Sequence, residues 1–358
     1  MNRAYKLVWN TVSNSWIVAS ELAKGRKKSS STALKLAVLL ATGLTAGMAS
    51  AAPAANALPS GENIVVGSAT FDRTVANQLT VNQGAGSPLV TNWSSFDVGS
   101  SGKVVFNQPS ATSIAVNRVT GGSASEIFGQ VTANGQLVLV NPNGITFGAG
   151  SQVSAAAITA SVMDINNIDV LFGNMAYSRG SATGIIDNKG SLTATSGSVA
   201  LLAPTVKNSG TISTSGGNAA LINADAVSLT APDPSITTAS SITGLIQQSG
   251  SITATQVSSV GGKILLTGDT SQAASQIQLA GTLDATTNTN VNGRSIVVNG
   301  DVNLNGTSNA LDLTTTSGYS LTNAAQVNLN GASSGFSVNG TAYTVIRDVT
   351  QLQAMSSN

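Results

Sequence analysis

The 358-residue sequence predicts an all-β protein built as a parallel β-helix, a solenoid of short stacked strands. Three observations carry that expectation. No sustained helical period follows residue 60; short apolar or alternating runs recur instead, each bounded by Gly, Asn, Ser or Asp. A loose repeat aligns Asn188-Lys189-Gly190-Ser191-Leu192 with Asn208-Ser209-Gly210-Thr211-Ile212 and Gln248-Ser249-Gly250-Ser251-Ile252, and Ala280-Gly281-Thr282-Leu283 is a fainter copy. The composition is low in charge (9%) and aromatics (4%) and rich in glycine (37 residues), which suits a narrow interior of small side chains with polar corners.

The same composition excludes chemistry. There is no Cys, so disulfides, thiolate metal sites and a Cys nucleophile are absent. There is no His, which removes the usual general base and the usual transition-metal ligand, and with them Ser-His-Asp and Cys-His catalysis. Carboxylate and Ca²⁺ chemistry stay open. The formal charge of +1 hides an asymmetry: residues 1–57 carry a net +6, and residues 58–358 a net −5 with no basic stripe. Nucleic acid is therefore not an expected partner.

The basic first segment reads as a cleavable leader, expected to be helical. Lys24, Arg26, Lys27 and Lys28 precede an apolar core, Leu34 to Met48, and small residues follow. This is the layout of a secretory signal read by the Sec machinery, and the core is too short to be read as a membrane span. Two A-x-A sites compete for cleavage, after Ala57 (Ala55-Asn56-Ala57) or after Ala51 (Ala49-Ser50-Ala51), and the expectation is Ala57. Residues 1–24 exceed an ordinary signal, and their aromatic, basic character (Tyr5, Lys6, Trp9, Trp16) resembles the extended signal peptide region of very large autotransporters and two-partner exoproteins. The alternative is an ordinary amphipathic helix. The leader thus divides into an extension, 1–24, and a signal proper, 25–57.

From residue 58 the strands come in order. Ile64–Val66, Lys103–Phe106, Ser113–Val116, Leu137–Val140, Val199–Leu202, Lys263–Leu266 and Ser295–Val298 are the clearest runs. The repeat glycines at 190, 210, 250 and 281 are spaced by 20, 40 and 31. A period near twenty suits one coil, with irregular coils or insertions accounting for the longer gaps. Roughly 300 residues at about twenty per coil allow at most about fifteen coils and about 70 Å of axis.

The most informative stretch is Leu137 to Gln152. Leu137–Val140 is an aliphatic strand, Pro142 cannot donate to a ladder and ends it, and Asn143-Gly144 suits a turn that needs positive φ. Ile145 and Phe147 then resume an alternating strand. On residues alone, Asn141-Pro142-Asn143-Gly144-Ile145 is a well-made β-turn.

Its company gives it more meaning. Asn92 to Gly99, Val104 to Ser110, Asn117 to Gly121, Ser125 to Gly129, Ala133 to Gln136 and Asn141 to Gly148 resemble, in order and spacing, the secretion domain of filamentous-haemagglutinin-type exoproteins. Thr159 to Asn166 is most similar to the high-molecular-weight adhesin branch. A second motif of the haemagglutinin branch, Asn-Pro-Asn-Leu, has no match, nor has the Cys pair of some adhesins. The resemblance, over about 60–300, implies a right-handed parallel β-helix with an N-terminal cap and no cofactor, metal or catalytic residue. It implies recognition in the periplasm by the POTRA domains of an outer-membrane transporter, and a tie between the Asn141–Ile145 motif and secretion. It implies a secreted or surface adhesin of a Gram-negative bacterium, acting on a host or neighbouring cell. On this reading 58–180 is the secretion domain proper, 181–335 continues the coils, and 336–358 opens a further repeat module or is a truncated tail, with Val349, Leu352 and Met355 at helical spacing.

Other candidates have plainer readings. Trp93, Phe96 and Phe106 fit core or cap packing better than a ligand stack. Asp164 and Asp169 could form a Ca²⁺ or glycosidase pair, but Asn166 and Asn167 beside them favour turn residues. Asn92, Asn305 and Asn339 head Asn-x-Ser/Thr triplets, expected by chance in an Asn- and Thr-rich chain. Two rivals remain: a β-helix polysaccharide-degrading enzyme, which needs carboxylates or an Arg grouped on one face, and the stalk of a contact-dependent growth inhibition toxin, which needs a C-terminal effector.

Overall fold

The computed structural model describes residues 5–10, 15–20, 52–229, 236–239, 245–257, 260–268, 270, 275–306 and 308–354. The chain divides into two compact units, Met1–Ala51 and Ala52–Asn358.

In the first unit, Tyr5–Asn10 and Ser15–Ser20 pair as an antiparallel hairpin that sets Trp9 opposite Trp16. The helical leader expected from the sequence is not what these residues form. Tyr, Val, Ile and Trp dominate both runs and favour a pleated strand over a helix. The apolar signal core and the Ala49–Ala51 site lie outside the described residues.

The second unit is a three-walled parallel β-helix. Its first complete coil runs Lys103–Asn107, Ile114–Val119, Ser125–Ile127. The next runs Gln130–Ala133, Gln136–Val140, Ile145–Phe147, and pairs with the one before in parallel, wall for wall. A third follows as Gln152–Ala155, Ala157–Ser161, Ile185–Asn188, and a fourth as Ser191–Ala194, Val199–Leu202, Thr205–Asn208. Strands on the first and third walls join in an 18-stranded sheet, and those on the second form a 12-stranded sheet. The outer two strands of the 12-stranded sheet, Asn63–Val66 and Thr341–Tyr343, run antiparallel, so ten stack in parallel over about 43 Å.

The stack is shorter than fifteen coils because insertions consume chain. The 40-residue gap from Gly210 to Gly250 contains Ala226–Leu229 and Ile236–Ala239, which leave the solenoid. These strands join Asp164–Ile165 and Met175–Ser178 in a four-stranded antiparallel sheet on the outside. Met163, Ile165, Val170, Tyr177 and Val227 pack there against Val138, Val140, Ala200, Leu202 and Ile222 of the second wall. That wall is thus covered on both faces, which explains why Val199–Leu202 and Ala219–Ile222 are apolar and buried at every position rather than alternating. The solenoid interior proper is a separate cluster that runs from Leu79 to Ala325 and includes Leu137, Leu139, Ile145, Leu201 and Leu221.

The N-terminal end of the solenoid is capped, as the resemblance implied. Asn63–Val66 and Ala69–Asp72 fold back antiparallel on the first rung, Leu89–Trp93 and Gln78–Gln83. Trp93 is fully buried, edge-on to Phe71 (centroids 5.6 Å) and Phe96 (5.5 Å), and its indole N–H donates to Asn117 Oδ1 at 3.0 Å. Phe96 and Phe106 are also buried. At the other end Phe336–Val338 still pairs in parallel with Leu311–Leu313, and a short helix covers Val349–Ala354; Met355 lies outside the described residues.

Candidate functional site

The five motif residues form the corner between the second and third walls of their coil. The Gly144 amide donates to the Asn141 carbonyl at 3.0 Å, closing a four-residue turn. Gly144 has φ of +116°, and a Cβ there would lie 2.9 Å from the carbonyl oxygen of Ile185 on the following coil. Ile145 is buried in the solenoid core, paired with Ser125 on one side and Ile186 on the other.

Asn141 is the centre of the arrangement. Its side chain is completely buried. Its Nδ2 donates to the Ser123 carbonyl and to Ser125 Oγ, each at 3.0 Å, and both acceptors belong to the coil before. Its Oδ1 accepts from the Asn143 amide at 3.0 Å, and its own amide donates to the Ser161 carbonyl of the coil after, at 2.9 Å. Asn143 Nδ2 donates to Gly121 O at 2.9 Å, and the Gly184 amide donates to Pro142 O at 3.1 Å. The corner therefore links three successive coils. Asn141 donates and accepts at once from a fully buried position; Asp would place an anionic oxygen against the Ser123 carbonyl. Only Pro142 (partly) and Asn143 reach the surface.

The sequence reading did not foresee the partners Gly121, Ser123 and Ser125. The signal was present: setting the Ile114–Val119 strand above Gln136–Val140 brings Thr120–Ser125 over Asn141–Gly144. Nor did it foresee Arg118, which ties the outer insertion to the solenoid. Arg118 Nε pairs with Asp164 Oδ1 at 2.7 Å, its Nη1 donates to Asn167 Oδ1 at 2.9 Å, and its Nη2 reaches the Ile165 carbonyl. An open groove lined by Pro142, Asp164, Asn166 and Arg179 separates the corner from the insertion. Beneath the first coil, burial raises the pKa of Asp97, while a hydrogen bond from the Glu126 amide (2.9 Å) pulls it down less strongly.

The remaining candidates resolve into structural roles. Asp164 is engaged by Arg118, and Asn166 caps the short helix Asn167–Leu171 through Ile168 N, with Asp169 in its first turn. Among the described residues no group of three or more His, Cys, Asp or Glu is placed to hold a metal. The carboxamides of Asn92, Asn305 and Asn339 all accept hydrogen bonds, from Arg118, Asn330 and the Thr315 amide. Ala57 lies at the start of the cap; Ala51 is outside the described residues.

The described residues from Ala52 form a capped β-helix whose first coils are stitched by a buried Asn corner. Residues 55–311 match the TPS secretion domain, and residues 1–50 match the Extended Signal Peptide of Type V secretion system. The chain belongs to the two-partner secretion exoproteins, and it is exported through the periplasm of a Gram-negative cell to the outside.

The secretion domain of HMW1 from Haemophilus influenzae shares the fold with a TM-score of 0.64 and 24% identity, covering 78% of this chain and 87% of that one. The secretion domain of filamentous hemagglutinin gives 0.51 and 15%, over 80% and 97%. A 111-residue stretch, 31% of the chain, is 42% identical to the Heme/hemopexin-binding protein of Haemophilus influenzae strain Rd, of which it spans 12%. A second Haemophilus influenzae Heme/hemopexin-binding protein is 36% identical over 121 residues, 34% of this chain and 13% of that protein. The chain thus aligns with a small fraction of these relatives' length.

Proposed function

We propose that the first coils, through residue 180, are the part read by the POTRA domains of a cognate outer-membrane transporter, and that the coils from 181 to 335 extend the scaffold on which a surface-acting or adhesive activity is presented to a host or neighbouring cell. The observation that carries this is the buried Asn141 carboxamide and its bonds to the preceding coil. The corner serves export by setting the shape of the first coils; Pro142 lines the open groove, and Asn143 is exposed to solvent. Coils that form outside stack on earlier coils, and burial of each new rung disfavours return through the barrel without ATP.

The chain carries out no chemistry on this reading. Asp164 is held by an ion pair, and Arg73, Arg118 and Arg179 are each engaged with a carboxylate; on this reading these pairs tie segments of the fold together.

The test is Asn141→Ala with the partner barrel co-expressed. The variant is expected to be retained in the periplasm, and wild-type levels in the medium overturn the assigned role of the corner. Asn143→Ala and Pro142→Ala keep the buried bonds of Asn141 to the preceding coil. If they export poorly while unfolding at the wild-type urea midpoint, the corner touches the transporter directly; normal export makes its role purely structural.

A further inference from the structure

The first residues after the leader are built into the fold in a way that bears on where the leader is cut. Ala54 to Ala57 form a turn, with the Ala57 amide donating to the Ala54 carbonyl at 2.8 Å. That turn sits on the first corner between the third and first walls. The Gly99 amide donates to Ala57 O at 2.9 Å, and the Ser101 amide to Ala55 O at 2.8 Å. The corner is shaped to receive it: a Cβ at Gly99 would lie 2.0 Å from Ala54 O, and one at Gly102 would lie 2.7 Å from Ala57 O. The contact repeats one coil further on, where a Cβ at Gly129 would lie 2.2 Å from both Gly99 O and Gly102 O. Ala54–Ala57 therefore occupies the place of a preceding coil's corner. The compact unit starts at Ala52, and the match to the secretion domain starts at residue 55.

We propose that signal peptidase cuts the Ala51–Ala52 bond, and that Ala52–Ala57 stays on the mature protein as the first element of its cap. Water adds across that amide, leaving a carboxylate on Ala51 and an ammonium group on Ala52. Cleavage after Ala57 would remove both acceptors and leave the amides of Gly99 and Ser101 facing an empty corner. Position agrees: Ala49-Ser50-Ala51 directly follows the apolar core ending at Met48, whereas Ala57 lies nine residues beyond it.

The experiment is N-terminal sequencing and intact mass of the processed protein from a periplasmic extract, which reads the cut independently of the transporter. A sequence beginning Ala52-Pro53-Ala54 is expected; one beginning at Leu58, alone or as the major species, overturns the proposal. Ala57→Lys is expected to leave both the N-terminus and the extent of processing unchanged, and accumulation of uncut precursor in that variant overturns it. A mature domain started at Leu58 is expected to unfold at a lower urea midpoint than one started at Ala52, and equal midpoints remove the structural argument.

Discussion

The carboxamide nitrogen of Asn141 donates to the hydroxyl of Ser125 at 3.0 Å, across the step from one coil to the one before it. Both groups are completely buried. Removing the amide strands the buried Ser125 hydroxyl and takes a hydrogen-bond partner from the Ser123 carbonyl and the Asn143 amide, whose residues reach solvent. Asn141→Ala should therefore cost about 2–4 kcal/mol, and Asn141→Asp at least as much. Asn143→Ala, at an exposed position, should cost under about 1 kcal/mol. Urea unfolding of the mature domain measures all three.

A second prediction concerns close approach between coils. A Cβ on Gly210 would lie 2.2 Å from the carbonyl oxygen of Gly190, and one on Gly250 would lie 2.1 Å from that of Gly210. Backbone cannot yield as a flexible side chain would. Gly210→Ala should destabilise by about 2–4 kcal/mol. Gly122, beside which nothing lies within 4 Å, should accept Ala with a change within about 0.5 kcal/mol. Thermal and urea melts of the pair decide the matter.

Beside that column runs a buried amide ladder. Asn188 Nδ2 donates to Asn208 Oδ1 at 2.7 Å, and Asn208 Nδ2 to Gln248 Oε1 at 2.9 Å. The next residue in line is Leu279, and Gln248 Nε2 has no hydrogen-bond partner among the described residues. Asn208→Ala leaves a partner unpaired on each side and should cost about 2–4 kcal/mol. Replacing Asn188, Asn208 and Gln248 together by Leu removes every amide of the ladder and leaves only the Gly190 amide without its Asn188 acceptor, and the triple variant should unfold at a higher urea midpoint than Asn208→Ala.

The fourth prediction has a pH sign. Burial raises the Asp97 pKa, so the folded domain takes up this proton at higher pH than the unfolded chain does. The ionised carboxylate therefore costs stability at neutral pH, and that cost falls as pH drops through the folded-state value. Asn at this position still accepts from the Glu126 amide. Asp97→Asn should stabilise the domain at pH 7, and its advantage over wild type should shrink on acidification toward pH 4. Paired urea melts across that range give the slope; a widening gap at low pH contradicts it.

A fifth concerns the outer insertion. Arg118 reaches Asp164, Ile165 and Asn167 with three different nitrogens, a geometry a Lys ammonium cannot reproduce. Arg118→Lys should raise amide exchange within residues 164–178 about tenfold, equivalent to about 1.4 kcal/mol, while the Gln136–Val140 strand keeps its protection.

What could be read from the sequence was local and periodic. The strand at Leu137–Val140, the turn at Asn143-Gly144 and the twenty-residue step from Gly190 to Gly210 all follow from patterns within one or two coils. The corner's partners were hidden because they depend on register: Ser125 meets Asn141 only once one coil lies on another. The outer sheet was hidden for a different reason. Its strands are short (Asp164–Ile165 is two residues), and its central pairing, Met175–Ser178 with Ala226–Leu229, joins residues 48 to 54 apart in the chain, beyond any window of periodicity. The hairpin at Tyr5–Ser20 was missed because basic and aromatic residues before a signal core suit a helix as readily in composition, and only the β-rich content of each run argues otherwise.

The folded-back strands at the N-terminal end have one more effect. A stack of parallel strands with a bare first rung would offer its unpaired amides and carbonyls to any other molecule in the crowded space between two membranes, which is how fibres begin. Asn63–Val66 and Ala69–Asp72 occupy those positions on two walls and run in the opposite direction. The protein thus carries the repetitive geometry of an amyloid protofilament while denying a neighbour the edge from which one could be seeded.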